Sequence, residues 1–449
     1  MSSHAQRTRR RFLGELGLGL GAGLTLPGLA TPLKAAAPGS RLKVAAVITE
    51  LTYRSHAHVI LENFLEPYLF NGKKTESGMD VVALYVDQFP AKEMSREVSR
   101  EYKIPIYPTI AEALKCGGKS LAVDAVLSIG EHGTYPVNAK GQMEYPRKRF
   151  FDAIAAVIEE SGRPVPVFND KHLSYRYDWA KEMYDTAVRL KIPFMAGSSV
   201  PLAERRPPLS LPAGAKWLGA VSVHGGGVES YGFHGLEVLQ SMTESRKGGE
   251  TGVSEVALLT DDALWKAADD GLWSTELADA AMVAELGPGT PTIRELVKTK
   301  DFASHKSQGL LVTYRDGLRG IVLRLGSSAT RWNFACQLEG ETAPRATQFN
   351  VGPWQNRNLF RALSHAIQAH FRDGNAPYPV ERTLLTTGLL DAAMDSMIAG
   401  GKPIATPQLD VGYKAINFDA YREMGETWKI INDQTPEPKG FDTSSRSRS

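Results

Sequence analysis

The strongest constraint on the fold is a regular alternation, between residues 43 and 170, of short apolar runs and segments of helical length. Each run is too short for a helix and is apolar almost throughout, which is typical of a strand buried on both faces of a parallel sheet. The runs cover residues 43–48, 81–86, 125–129 and 164–168. Strands that alternate with helices predict crossover connections, so residues 40–172 are expected to form a doubly wound α/β domain.

Residues 173–412 show a different pattern. A helix-spaced apolar repeat covers residues 179–190. Two apolar segments at 311–314 and 321–325 flank an Asp-Gly pair, which is a signal for a β-hairpin. Because hairpins connect antiparallel strands, we expect a second, α+β domain with a mostly antiparallel open sheet over residues 173–412.

Both ends of the chain have the character of segments outside the folded domains. Paired Arg9-Arg10, followed by Phe12-Leu13 and a weakly apolar Gly-rich stretch, fit a twin-arginine signal peptide over residues 1–38. We therefore expect the twin-arginine export machinery as a partner and a periplasmic or extracytoplasmic location. Residues 413–449 form a C-terminal extension whose polar, Ser-rich end is expected to be disordered after about residue 436.

Composition excludes several classes of protein. Lys and Arg number 52 against 50 Asp and Glu, and the formal net charge of +2 argues against a nucleic-acid-binding surface. The apolar stretch near the N-terminus is rich in Gly and carries Glu15, so no stable membrane anchor is expected. Cys116 and Cys336 are the only cysteines, and whether they pair is left open.

In doubly wound sheets, ligands bind beyond the carboxyl ends of the strands. The loop after the first predicted strand has no glycine, although glycines would normally let the backbone approach a pyrophosphate closely. Its hydroxyl groups and a guanidinium are candidates to replace those glycines, and Asp87 is placed to accept hydrogen bonds from a ribose diol. The candidate cofactor-binding residues are Thr49, Thr52, Arg54, Ser55, Asp87, Ser128, His132 and Lys171.

Two further positions suggest chemistry. Lys171 follows the last predicted strand and could point into a cleft, although a solvated loop lysine is the alternative. If the segment from Glu229 is helical, Ser230 and His234 share one face. Glu237 lies three residues beyond this histidine, and an imidazole oriented by a carboxylate is a plausible general acid/base. The alternative is a buried histidine satisfied by backbone groups. The candidate catalytic residues are Lys171, His234, Glu229 and Glu237.

These segments resemble the Gfo/Idh/MocA family, which includes glucose–fructose oxidoreductase and inositol dehydrogenase. Residues 170–172, Asp-Lys-His, are similar to the family's Glu-Lys-Pro motif, of which only the lysine is kept. Residues 225–237 resemble its Gly-Gly…Asp-x-Gly-x-His-x-x-Asp motif, with Ser230 and Glu237 at the places of the two aspartates. The resemblance covers most of residues 41–412.

The resemblance implies a Rossmann-like NAD(P)-binding domain followed by a domain for substrate binding and oligomerisation. It implies NAD or NADP as cofactor and a small-molecule carbohydrate or polyol as substrate. Lys171 would position substrate and cofactor, and His234 would take the proton from a hydroxyl group while hydride moves to the nicotinamide. A homo-oligomer formed through an exposed sheet face is also implied.

Export would narrow the range of possible functions. Free nicotinamide cofactor is scarce outside the cytoplasm, so the protein would have to hold it tightly. The main hypothesis is an exported sugar or polyol oxidoreductase. A redox-neutral glycosidase or epimerase of the same fold is one alternative, and a non-enzymatic carbohydrate-binding protein on a degenerate scaffold is another. A metal enzyme is a minor alternative, but no metal site is predicted, because its ligands would match no specific metal signature: His224, Glu229, His234 and Glu237.

Overall fold

The computed structural model describes residues 41–303 and 305–442. The twin-arginine segment predicted for residues 1–38 lies outside the described residues. Two large sheets, of six and eight strands, organise the rest of the chain. Within the described ranges, no helix is both long enough and apolar enough to span a membrane. Cys116 and Cys336 are both free thiols, which answers the pairing that the sequence left open.

The first domain is built on the six-stranded sheet. Its elements in chain order are β1 (Leu42–Ile48), α1 (His56–Leu65), the hairpin β2 (Tyr68–Phe70) and β3 (Lys73–Thr75), β4 (Met79–Val86), α2 (Ser95–Tyr102), β5 (Ile106–Tyr107), α3 (Ile110–Leu114), β6 (Ala125–Ile129), α4 (Arg147–Ser161), β7 (Val167–Asp170), α5 (Tyr177–Arg189) and β8 (Phe194–Gly197).

The strand order β5-β4-β1-β6-β7-β8 is that of a doubly wound parallel sheet, as the sequence predicted. The apolar residues of β1 are completely shielded from solvent, which explains why this strand is apolar throughout. The direction of winding reverses between β1 and β6, and a ligand crevice forms at such a reversal. The domain boundary expected at residue 172 falls inside this domain, because Phe194–Gly197 pairs with β7.

The second domain is built on the eight-stranded sheet. Its elements are β9 (Glu204–Arg206), β10 (Trp217–His224), α6 (Phe233–Thr243), β11 (Glu250–Thr251), β12 (Val253–Thr260), α7 (Asp261–Asp269), α8 (Thr275–Leu286), α9 (Ile293–Leu296), α10 (Lys300–Ala303), β13 (Gln308–Tyr314), β14 (Arg319–Arg324), β15 (Trp332–Leu338), β16 (Arg345–Asn350), α11 (Asn356–Asp373), α12 (Val380–Ile398), β17 (Ile404–Ala405) and β18 (Gly412–Tyr413).

The sheet order is β17-β12-β13-β14-β10-β15-β16-β9, and every neighbouring pair is antiparallel except β10 and β14. The predicted mostly antiparallel sheet and the hairpin between β13 and β14 are therefore confirmed. Side chains alternate between two cores, since Leu310 and Val312 face the core shared with α6, whereas Leu311 faces the core of α7 and α8.

Helices pack on both faces of this sheet. Helix α8 packs on β10, β15 and β16, and α6 packs on the other side of β10, β14 and β15. The homo-oligomer that the family resemblance implied stays a prediction.

A buried ion pair ties α12 to the end of α6. The Arg382 guanidinium donates to Glu244 at 2.8 Å and 2.5 Å, and both side chains are shielded from solvent. Removing one partner of such a pair leaves an uncompensated buried charge.

We expect Arg382→Met to lower the free energy of unfolding by about 3–5 kcal/mol, because the Glu244 carboxylate would lose its counter-charge inside the core. Denaturant-induced unfolding measures this loss. Arg189→Met is the matched control, because it breaks an exposed pair with Glu159 and should cost at most about 1 kcal/mol. Equal losses in the two variants would contradict the structural role of the buried pair.

Candidate active site

A cavity of about 360 Å³ lies between the two domains, beyond the carboxyl ends of β6 and β7. Lys171 and His132 line it from the first domain. Ser199, Ser230 and His234 line it from the second. Lys171 and His234, which the sequence singled out independently, therefore converge on one interdomain cavity.

Lys171 is held at the end of β7 in an unusual backbone conformation. Its φ of 61° lies in the left-handed region, which is uncommon for residues other than glycine. The side chain is only 5% exposed, and Nζ lies 2.7 Å from Oε1 of Glu131. The solvated loop lysine that the sequence left as an alternative is excluded by this burial.

Glu131 joins three elements of the first domain beneath the cavity. Its carboxylate pairs with Lys171 and with Arg147 from the first turn of α4, and its carbonyl accepts the hydroxyl of Thr49 at the end of β1. Burial alone would raise the pKa of Glu131, but the charges of Lys171 and Arg147 hold it well below its usual range. Sequence reasoning missed Arg147, and it marked Glu131 only as part of the strand-end segment 128–133, without a role of its own.

His234 lies in the first turn of α6, directly after a π-helical turn, Val228–Gly232. Its Nδ1 is 2.6 Å from the hydroxyl of Ser198, which also accepts the N–H of Val200. Burial, together with the nearby charge of Lys171, holds the pKa of His234 well below its usual range. The imidazole is therefore neutral at neutral pH, and Ser198, which the sequence did not reveal, orients it.

Glu237 and Glu229 do not take the positions that the sequence predicted. Glu237 accepts hydrogen bonds from Thr386 at 2.6 Å and Thr383 at 3.2 Å, so α12 holds it away from the imidazole of His234. Glu229 accepts the N–H of Met143 and does not line the cavity. Burial raises the pKa of both carboxyl groups. Neither contacts His234 directly.

Two histidines of the first domain complete the cavity wall. His56, at the start of α1, lies 2.6 Å through Nδ1 from Asp170. His132 has a left-handed φ of 70°, and burial lowers its pKa to about 4. His56 and His132 both line the cavity, and the cofactor-binding role expected for His132 stays a prediction.

Polar side chains of the loop between β1 and α1 mostly bind partners within the loop or at the start of α1. The hydroxyl of Thr52 donates to Glu50, and Ser55 caps α1 by accepting the N–H of His58. Thr49 is completely buried, as described above. Of the candidates in this loop, Arg54 lines the cavity, and its guanidinium binds the Glu437 carboxylate.

Asp87 already accepts hydrogen bonds from neighbouring side chains, and Ser128 is buried. Asp87 accepts from the hydroxyls of Tyr85 and Tyr135 and from Arg149, whose Nη2 lies 2.8 Å from each carboxylate oxygen. Both oxygens thus already have two donors. Ser128 is buried within β6. A ribose diol would have to displace these contacts to reach Asp87.

The candidate metal ligands do not assemble. His224 is buried with Nδ1 2.7 Å from the carbonyl oxygen of Gly225 and is stacked on Trp332. In the part of the chain that the structure describes, His, Cys, Asp and Glu side chains form no group of three or more suited to a metal ion.

Comparison with known proteins supports the fold. No protein-family model matches the chain, and no curated protein is similar to it in sequence. GenD2 from gentamicin A biosynthesis, solved in complex with NAD, has a TM-score of 0.52 at 12% identity over 84% of this chain and 99% of that chain. A myo-inositol dehydrogenase from Lactobacillus casei, solved with NAD(H) and myo-inositol, has a TM-score of 0.49 at 13% identity over 82% and 97%.

At these identities the likeness concerns the fold. The chain shares the two-domain fold of GenD2, in agreement with the fold that the sequence motifs indicated. The roles of Lys171 and His234 are not tested by this likeness and stay predictions.

Buried neutral histidines make stability depend on pH. Burial lowers the pKa of His132 and His224 to about 4, whereas an unfolded chain binds these protons near pH 6.5. The unfolded state therefore binds more protons between pH 6.5 and 4, and the free energy of unfolding falls as pH falls through this window.

When the pH is lowered from 7 to 5, we expect the free energy of unfolding of His224→Gln to fall by about 2 kcal/mol less than that of the parent protein. The reason is that one of these histidines no longer titrates in the variant. Urea unfolding at the two pH values measures the difference. Parallel losses in parent and variant would show that the pKa of His224 is the same in the folded and unfolded protein, which would contradict its lowering by burial.

Proposed function

We propose that the protein is an exported oxidoreductase that acts on a hydroxyl group of a sugar or polyol with a tightly held nicotinamide cofactor. The observation that carries this proposal is the convergence of Lys171 and His234 on one cavity in a dehydrogenase fold. A volume of about 360 Å³ is at the lower end of the range of about 300–1,000 Å³ typical of small-molecule sites, which suits a monosaccharide-sized ligand.

Lys171 and His234 would have different roles at the reacting hydroxyl group. Glu131 fixes the position of the Lys171 ammonium, so this group can donate a hydrogen bond to a substrate oxygen without first changing its rotamer. His234 is neutral, and Ser198 occupies its Nδ1, so Nε2 is the atom available to exchange a proton with the substrate. Burial of both residues limits their contact with water, since Lys171 is 5% exposed and His234 is 8% exposed.

The turn between β1 and α1 offers hydrogen-bond donors for the phosphates of a dinucleotide. In this fold class a pyrophosphate lies at the turn between the first strand and helix, and Arg54 stands there with a carboxylate already bound to its guanidinium. That carboxylate is a stand-in for an anionic group, so Arg54 and the hydroxyl of Tyr53 would hold the phosphates, and Lys171 the nicotinamide end. The cofactor would accept or supply the hydride.

The cofactor proposal is tested on purified protein by extracting it under denaturing conditions and measuring nicotinamide nucleotide in the extract. Substrate turnover then tests the residues: His234→Asn should lower kcat by about 10²–10⁴-fold, because proton exchange at Nε2 is lost. Lys171→Met should also lower kcat/KM, with Lys148→Met as the matched control, since Lys148 pairs with Asp152 on the exposed side of α4. Unchanged turnover in His234→Asn, or neither bound nucleotide nor binding on titration, would refute the proposal.

One observation favours a second candidate, a carbohydrate-binding protein that has no catalytic activity. Asp87 is saturated by Tyr85, Tyr135 and Arg149, and this leaves the ribose end of a dinucleotide without its usual acceptor. Under this candidate, a sugar would bind in the cavity with no nucleotide present in the extract, and His234→Asn would change affinity but no rate. A redox-neutral glycosidase or epimerase would instead turn over its substrate with no net change in the cofactor.

We propose export by the twin-arginine route, supported by Arg9-Arg10 and the weakly apolar stretch after them. Replacing both residues by lysine should retain the full-length chain in the cytoplasm, because that route recognises the paired arginines. Cell fractionation and immunoblotting measure the distribution, and Arg7→Lys is the control. Undiminished export of the doubly substituted chain would contradict the route.

A further inference from the structure

The end of the described chain packs against α1, next to Arg54 of the cavity wall. Residues 435–442, here called the tail segment, were expected to be disordered after about residue 436, but they are held in place. The buried Arg357 donates to the carbonyl oxygens of Pro438 and Gly440, and the ring of Phe441 stacks on His58 at 5.1 Å. Long-range contacts of this kind are invisible in the composition of a polar tail.

Within the tail segment, Glu437 contacts Arg54, a residue of the cavity wall. Its Oε1 accepts Nε of Arg54 at 2.9 Å, and its Oε2 accepts Nη2 of the same guanidinium. The hydroxyl of Tyr53 donates to Oε1 at 2.8 Å. Arg54 itself lines the cavity that contains Lys171 and His234. The two-pronged contact is the geometry with which arginine binds carboxylates and phosphates of ligands.

The Glu437 side chain can be exchanged while the tail segment stays in place. The side chains of Arg54 and Glu437 are 33% and 20% exposed, and partly solvated ion pairs of this kind contribute little to stability. The backbone of the tail segment is anchored through the completely buried Arg357, whose Nη1 also lies 3.7 Å from Oε1 of Glu437. An anionic ligand therefore has to displace one side chain and not the whole segment.

We propose that Arg54 and Tyr53 form an anion subsite of the cavity, and that Glu437 occupies it until the anionic group of a ligand takes its place. The ligand's anionic group is either a phosphate of the cofactor or the carboxylate of a sugar acid, since both present paired oxygens to a guanidinium. This inference rests on the proposed function, because it specifies the ligand chemistry of the same cavity.

The test compares the full chain with Glu437→Gln and Arg54→Gln by calorimetric titration of four probes: NADH, inorganic pyrophosphate, galacturonate and neutral galactose. Glu437→Gln should bind anionic probes about two- to five-fold more tightly, because the internal competitor is weakened. Arg54→Gln should bind the same probes about ten-fold more weakly. Galactose affinity should change in neither variant. Glu426→Gln is the matched control, since it removes an equal charge from an exposed pair with Lys429.

Opposite changes in the two variants are the decisive result, because a merely structural role would move both affinities in the same direction. A response to NADH and pyrophosphate assigns the subsite to the cofactor, and a response to galacturonate assigns it to the substrate. Anionic affinities that stay within two-fold in both variants, or that fall in both, would overturn the inference.

The same data separate this inference from the proposed function. Equal binding of NADH, pyrophosphate and galacturonate by all proteins would leave the oxidoreductase standing and remove the anion subsite. Absence of NADH binding from every protein, with galacturonate binding that responds to both substitutions, would remove the cofactor and keep the subsite.

Discussion

The carboxylate of Glu131 is the charge on which the geometry of the site depends. It lies in a desolvated position between the ammonium of Lys171 and the guanidinium of Arg147. Burial of a carboxylate is tolerated only when cations and hydrogen bonds compensate it, so the loop after β6, the first turn of α4 and the end of β7 must meet at one point. The direction of the Lys171 ammonium is thereby set by the scaffold and not by the ligand.

A neutral imidazole faces that charged cluster from the other domain. Lys171 contributes to keeping His234 unprotonated, while Ser198 fixes the ring through Nδ1. The cavity thus combines one permanently oriented donor and one group that can exchange a proton. The arrangement depends on the relative position of the two domains, because Lys171 follows β7 and His234 begins α6.

Sequence reasoning recovered those parts of the fold that depend on local pattern. The buried strands around Val44 and Val126 were visible because strands covered on both faces are apolar at every position. The assignment of Phe194–Gly197 to the first sheet was not visible, because a short apolar strand carries no mark of the sheet that it joins. Within the site, Lys171 was found because it follows a predicted strand, and His234 was found from the spacing of its motif.

The misplacements have a common physical cause. Helical spacing put Glu237 on the face of His234, but α6 is buried on all sides, so spacing could not show that Thr383 and Thr386 bind this carboxylate. Ser198 and Glu131 act through contacts between residues far apart in the chain, and no local pattern encodes these. Asp87 follows a strand, as the sequence predicted. The sequence could not show that Tyr85, Tyr135 and Arg149 already surround its carboxylate.

The anchoring of the last described residues bears on how the protein is handled in the laboratory. Gly440 and Phe441 contact Arg357 and His58, and the ring of His58 accepts the backbone N–H of Arg54, so a label or substitution at residues 440 and 441 would disturb contacts next to the cavity wall. The turn at Gly287 and Gly289, where the space around both glycines is open, is the better attachment point for labels or immobilisation.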